Sequence, residues 1–292
     1  MYKAKEISTG NICAIKIING NDESMKNELL NEITLLSQLD YPLLLKFYGI
    51  TNIPPFCIIT EYLPHDLQSY IKLANKGQAD NNWNITTKMF IIIGIALGMR
   101  YLHKNNISHR DLKPQNVLLD SNLYPRICDF GLSKAQTSSM SSNVGTPQFC
   151  APEVASASED MKYNGEKADV YSYAMTIYSI LYDVIPFEGI HLLKLIQEVV
   201  LNGKRPELDG QISEKIDNLI RKCWDPNPNN RPNFTRIVDE LKNPSLIEEI
   251  ADIDIEKIND LLSFCKESII EIKKEKDQKE KKNEKKNAST KI

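Results

Sequence analysis

The sequence predicts an α+β fold, with a small strand-rich lobe followed by a larger helical one, on three observations. The first sixty residues carry short apolar alternations of strand period around one helical stripe. From Asp66 onward, long segments of helical spacing alternate with polar loops. A cleft is expected at the junction of two such regions, and residues with catalytic spacing follow soon after it.

Taken in order, residues 12–17 read as a strand, with Ile12, Ala14 and Lys16 on one face and Cys13, Ile15 and Ile17 on the other. Helical spacing runs from about Ser24 to Leu39, where Leu29, Ile33, Leu36 and Leu39 form an apolar stripe. Tyr41-Pro42 stops it. FCIITEYL (56–63) reads as a buried strand ending in a Pro-containing connection. Helices are predicted over 84–104, 168–183, 190–202, 212–223 and 234–242, with a short hairpin built from 117–119 and 126–128. The small lobe then covers 1–63 and the large one 64–243.

Beyond Pro244 the composition shifts, which marks 244–292 as a separate C-terminal segment. Ser245 to Glu248 has the form of a capping box. Ile255, Ile258, Leu262, Cys265, Ile269 and Ile272 recur at alternating spacings of 3 and 4. That stripe is too short for a coiled coil and predicts a helix packed back on its own domain rather than a partner-binding zipper. After Lys273 the chain is Lys/Glu/Asn without apolar periodicity, and predicts disorder or a solvated helical extension.

The bulk numbers exclude several roles. Hydrophobic content of 41% with 26% charged residues, over 292 residues, fits a soluble globular chain. A net charge of −3 gives no support to nucleic-acid binding. The six cysteines are scattered without C-x-x-C or His/Cys ligand spacing, which predicts reduced thiols in a cytoplasmic setting. Residues 1–10 are mixed polar and charged and show no secretory leader. The longest apolar run, 89–99, is too short to span a bilayer, so no membrane partner is expected.

The chemistry lies in HRDLKPQNVLLD (109–120) and RICDFGLSK (126–134). Phosphoryl transfer asks a protein mainly for positioning and charge stabilisation. A carboxylate must accept the hydroxyl proton, a cation should face the transferring phosphate, and oxygen ligands must hold magnesium. Asp111, Lys113 and Asn116 offer all three within six residues. Asp129 offers a second acidic ligand across the hairpin, and hard oxygen donors suit Mg²⁺.

Ala14-Ile15-Lys16, His109-Arg110-Asp111 with Asn116, Asp129-Phe130-Gly131 and Ala151-Pro152-Glu153 stand in the order of the eukaryotic protein kinase pattern. The chain resembles that family over residues 1 to about 243. The resemblance implies the bilobal kinase fold with ATP and Mg²⁺ as cofactors. It implies that Lys16 grips the α- and β-phosphates and that its helix partner is Glu32, favoured over Glu28. Asp111 would be the catalytic base, with Asn116 and Asp129 the metal ligands and Lys113 beside the base. Ala14, Thr60, Glu61, Leu63 and Leu118 would shape the adenine pocket, with Thr60 at its back, the backbone groups of Glu61 and Leu63 facing the base from the hinge, and Leu118 as its floor. Asp169 would brace the catalytic loop, and Glu153 and Arg231 would form a buried pair. His109 reads as a packing residue, and His65, His103 and His191 as structural.

Lys113 and Thr146 resemble serine/threonine-specific members, while CWDPNPNNRPNF (223–234) resembles the tyrosine-specific side. That mixture is similar to the tyrosine-kinase-like group, whose members mostly phosphorylate serine and threonine of protein substrates. Arg110 resembles the arginine that pairs with a phosphorylated activation segment. Thr137, Ser138, Ser139, Ser141 and Ser142 are then candidate sites for an upstream kinase.

MYKAK resembles the end of the family's second strand, so the first strand and glycine-rich loop are missing ahead of Met1. The reading favoured here is a shortened rendering of a longer, competent kinase, since the base and metal ligands are intact. The alternative is a kinase-fold interaction module. Without the loop, several charge-assisted hydrogen bonds of about 1.5–3 kcal/mol each are missing from the phosphates. Residues 1–292 alone are therefore expected to bind ATP weakly, with slow or undetectable phosphate transfer. Joining a strand–GxGxxG–strand segment ahead of Tyr2 should raise both, as calorimetry and a γ-phosphate transfer assay would read; equal values would refute it.

Overall fold

The computed structural model describes residues 1–17, 33, 37, 39–51, 55–130, 147–156, 163–210 and 212–266. Among the described residues the small lobe holds four strands: β1 (Tyr2–Lys5), β2 (Ile12–Ile17), β3 (Phe47–Ile50) and β4 (Cys57–Glu61). They form one antiparallel sheet in the order β1-β2-β4-β3. The predicted strand over 56–63 is shorter at both ends. Ile33 and Ser37 are helical within the predicted 24–39 helix, and most of that stretch lies outside the described residues.

A second small sheet lies across the junction. Its strands are β5 (His65–Asp66), β6 (Val117–Leu119) and β7 (Pro125–Ile127), one residue earlier than predicted for the last. The two lobes meet along β7. Ile127 donates to Leu43 O at 2.9 Å and accepts from Leu45 N at 2.9 Å, so one residue is bonded on both sides to the strip entering β3.

Helix α1 (Leu67–Asn75) was not predicted, although its start signal is in the sequence: Asp66 accepts from Ser69 N at 2.9 Å. Helix α2 (Ile85–Lys104), capped by Asn84, is buried on nearly every side. Its 20 residues and mean hydropathy of 1.5 would suit a bilayer span, unlike the shorter run read from sequence, but 78% of the stretch is buried in the lobe. Gly94 and Gly98 let β7 lie against it. A Cβ at these positions would stand 2.7 Å from Pro125 Cγ and 2.6 Å from Ile127 Cδ1.

After the short helix α3 (Pro152–Ala155) come α4 (Gly165–Tyr182), capped by Asn164, and α5 (Leu192–Ile196). α5 widens into a π turn over Gln197–Leu201, so the predicted 190–202 helix is α-helical only in its first half. α6 (Glu214–Cys223) and α7 (Phe234–Leu241) follow as predicted, within two residues at each end. The capping box at Ser245 does not form. Asn243 caps α8 (Pro244–Ile247) through Ser245 N, because Pro244 already occupies the first helical position.

A last described helix runs over 255–266 and packs on the large lobe, as its stripe predicted. Ile258, Leu261 and Cys265 are buried, while Ile255 is 44% exposed and Leu262 only partly covered. Leu261 therefore takes the place expected for Leu262. Ile269, Ile272 and the Lys/Glu-rich end lie outside the described residues.

Arg231, 1% exposed, is bound by both oxygens of Glu153 at 2.6 and 2.9 Å and also donates to Asp225 O and Lys167 O. Replacing Glu153 by Ala would leave that guanidinium buried without its counter-ion, at a cost of about 3–5 kcal/mol. Denaturant unfolding of Glu153→Ala checks this. A loss under ~1 kcal/mol would contradict the reading.

Candidate active site

The loop after α2 is held by one carboxylate. Asp169, fully buried in α4, accepts from His109 N at 2.8 Å and Arg110 N at 2.6 Å, and shares a 2.9 Å contact with His103 Nε2. Arg110 has φ of 66°, a left-handed conformation uncommon for a non-glycine residue. Gly165, at the start of α4, makes the approach possible: a Cβ there would lie 2.8 Å from Ser108 Oγ. His103 as a partner of Asp169 was not legible in sequence, because nothing in the spacing of 103 and 169 signals their meeting.

Asp111 follows directly and remains open, with its side chain 46% exposed. Lys113 Nζ lies 2.7 Å from Asp111 Oδ2. Asn116 Nδ2 donates to Asp111 O at 2.7 Å and to Asp111 Oδ2 at 2.9 Å. Both amide hydrogens of Asn116 are thus used, which leaves its Oδ1 as the atom available to a cation. Asn116 also ties this loop to the next one, since its backbone oxygen accepts from Cys128 N at 2.9 Å.

β7 delivers Asp129 to the opposite side. Asp129 is left-handed, with φ of 57°, and its Oδ1 lies 3.2 Å from Lys16 Nζ across the cleft. Phe130 behind it is 2% exposed and meets the His109 ring edge-on at 6.3 Å. Across the sheet, Ala14 pairs with Thr60 and Lys16 with Ile58. Ala14, Lys16 and Thr60 line a pocket together with Ile58, Leu45, Phe47, Cys128, Asp129 and Phe130.

Glu61, Leu63 and Leu118 lie outside this inner cavity. The pocket lies inward, between β2, β4 and Phe130. The Glu61 carboxylate accepts from Lys46 N at 2.7 Å, with Arg126 Nε at 3.7 Å, whereas the hinge role expected of this residue uses its backbone groups. Leu118 is paired in β6 between Asp66 and Arg126, and Leu63 lies beyond the end of β4. Leu45, Phe47 and Cys128 were missed. Cys128 stands next to Asp129 in the chain, but the return of 45–47 beneath β4 is a tertiary fact with no local signal.

Glu32, its competitor Glu28, Thr137, Ser138, Ser139, Ser141, Ser142 and Thr146 lie outside the described residues. Arg110 is exposed, and among the described residues no carboxylate pairs with its guanidinium. The described residues contain no cluster of three His, Cys, Asp or Glu side chains. Asn116 Oδ1 and the Asp129 carboxylate are hard oxygen donors that fit an ion completing its shell with phosphate and water, as Mg²⁺ does.

The family profile described as "Protein kinase domain" matches residues 1–241. The serine/threonine-protein kinase STY17 of Arabidopsis thaliana is 32% identical over 256 residues, which is 85% of this chain and 43% of that protein. The probable serine/threonine-protein kinase drkC of Dictyostelium discoideum is 35% identical over 235 residues, 78% of this chain and 30% of drkC. The serine/threonine/tyrosine-protein kinase HT1 of Arabidopsis thaliana is 31% identical over 248 residues, 83% of this chain and 61% of HT1. The chain thus spans less than half of STY17 and under a third of drkC.

His109 has a consequence for pH. Its Nδ1 accepts from Asp111 N at 3.3 Å, so Nε2 carries the proton donated to Cys128 O at 3.0 Å. Burial lowers its pKa, opposed by the nearby Asp169 and Asp111 carboxylates. With the folded value below the unfolded one of about 6.5, the unfolded chain binds the extra proton first. This contribution to stability is full above pH ~6.5 and is lost as pH falls toward the folded value. Melting temperature should therefore drop below that pH, and less steeply in His109→Gln. Identical slopes in the two proteins would contradict the assignment.

Proposed function

The chain belongs to the protein kinase family, and on that premise we propose that it transfers the γ-phosphate of ATP to serine and threonine hydroxyls of protein substrates. The observation that carries this reading is Asp111, fixed by Asn116 and contacted by Lys113 at 2.7 Å, with the Lys16–Asp129 pair across the cleft. Asp111 would orient the substrate hydroxyl and accept its proton. Lys113 would counter charge on the phosphoryl oxygens, and Lys16 would hold the nucleotide phosphates. Asn116 Oδ1 and Asp129 would hold Mg²⁺, which when bound neutralises the charge of the β- and γ-phosphates. Ala14 and Thr60, facing each other across β2 and β4, would bound the adenine end of the pocket.

Serine/threonine specificity rests on Lys113 and on Thr146. Arg110, exposed and without a carboxylate partner among the described residues, supports control by an upstream kinase acting in the Ser-rich 137–142 stretch, through a new arginine–phosphate pair. Six free cysteines support work in a reducing, cytoplasmic setting.

Asp111→Asn should cut turnover by about 10²–10⁴-fold while leaving Mg·ATP affinity nearly unchanged. Asp129→Asn should weaken metal-dependent nucleotide binding as well. Wild-type turnover in Asp111→Asn would remove that residue from its role. Because HT1 is by name a serine/threonine/tyrosine-protein kinase, phosphoamino-acid analysis decides the acceptor. Phosphoserine and phosphothreonine are expected, and dominant phosphotyrosine would refute the specificity.

A further inference from the structure

The 255–266 helix lies beyond residue 241, where the family match ends. It is tied down at both ends along α2. At its start, Asp254 N donates to Thr86 Oγ1 at 2.8 Å, in the first turn of α2, and Asp254 Oδ1 accepts from Lys257 N at 3.2 Å. At its far end, Cys265 is 3% exposed and faces the hydroxyl of Tyr41, itself 4% exposed. Tyr41 stacks on Tyr101 of α2, with ring centroids 4.5 Å apart and planes 3° from parallel. Tyr101 in turn donates its hydroxyl to Asp40 O at 3.3 Å.

The helix also reaches the other side of the same ladder. Phe264 meets Tyr124 edge-on at 6.4 Å, and Tyr124 leads directly into β7. Tyr41 leads into Leu43–Leu45, and β7 leads into Asp129. Those two strips are joined only a few residues on, where Ile127 bonds Leu43 O and Leu45 N. Leu45 and Asp129 both line the nucleotide pocket. A side chain at each flank of one ladder therefore comes from a helix outside the matched domain.

We infer that the 255–266 helix is a positioning brace for the nucleotide pocket, acting through Tyr41 and Tyr124 on the Leu43–Leu45/β7 ladder that sets Leu45 and Asp129. The inference rests on the kinase reading for its catalytic consequence, though not for its mechanical one. None of the helix residues touches the reacting groups. Their effect is on where Asp129 stands relative to Lys16 and Asn116, so loosening the brace weakens nucleotide binding more than the proton-transfer step at Asp111.

The test uses the full chain with Leu261→Asp, which puts a carboxylate at a fully buried position of the helix and undocks it. Cys265→Trp, which drives a larger ring against Tyr41, replaces it where the first variant does not fold. Hydrogen exchange at the Leu45 and Ile127 amides should quicken at least tenfold, together with exchange across 255–266. The KM for ATP should rise at least fivefold with a smaller change in kcat. Leu261→Met should restore both values. Ile220→Ala, a buried change in α6, should lower the melting temperature without moving the KM or those two amides. Exchange and KM unchanged in an undocked variant would overturn the brace. So would an equal KM rise in Ile220→Ala. If the chain transfers no phosphate even with a strand–GxGxxG–strand segment joined ahead of Tyr2, the kinase reading fails, and the Leu45 and Ile127 amides still decide the brace.

Discussion

Two consecutive backbone N–H groups bound by one buried carboxylate set the geometry on which this protein depends. A carboxylate with no exposure is costly unless its lone pairs are filled, and Asp169 fills them with His109 N, Arg110 N and His103 Nε2. The N–H groups sit in a turn whose left-handed Arg110 would relax if released. Charge-assisted bonds of this kind are about twice as strong as neutral ones. They aim Asp111 at Lys113 and Asn116 while leaving it accessible.

Around that point the fold is arranged to bring a second strip close. Glycines at 94 and 98 remove the Cβ atoms that would keep β7 from α2, and Gly165 does the same between α4 and Ser108. β7 then carries Asp129 to within 3.2 Å of Lys16, which arrives from the other lobe on β2. Asn116 links the halves, bonding Asp111 through its amide and Cys128 through its backbone oxygen. The base and the metal-facing aspartate thus rest on different elements and share Asn116 as a common neighbour.

Much of this was legible in the sequence. The strand carrying Lys16, the helix α2 and the hairpin ahead of Asp129 follow from periodicity, and the catalytic triplets from their residue types and order. The Glu153–Arg231 pair was also anticipated, from resemblance rather than spacing. What was hidden is tertiary. Leu45 and Phe47 look like ordinary apolar residues until they return beneath β4, and His103 gains its partner only when α2 meets α4. The Glu61 carboxylate is taken up by Lys46 N–H and Arg126, a pairing that no local pattern signals. Helix α1 was missed although Asp66 marks its start, because its nine residues carry only a short apolar pattern.

The claim that Asp169 holds the catalytic loop is tested most directly by the kinetics of Asp169→Asn, compared with the unaltered chain. An amide offers one acceptor oxygen where the carboxylate offers two, so one of the two loop N–H groups loses its partner. The account predicts that kcat falls by at least about 10²-fold, while the dissociation constant for Mg·ATP stays within about twofold, since Lys16 and Asp129 are held by other elements. A kcat equal to that of the unaltered chain, or a loss confined to nucleotide affinity, would contradict it.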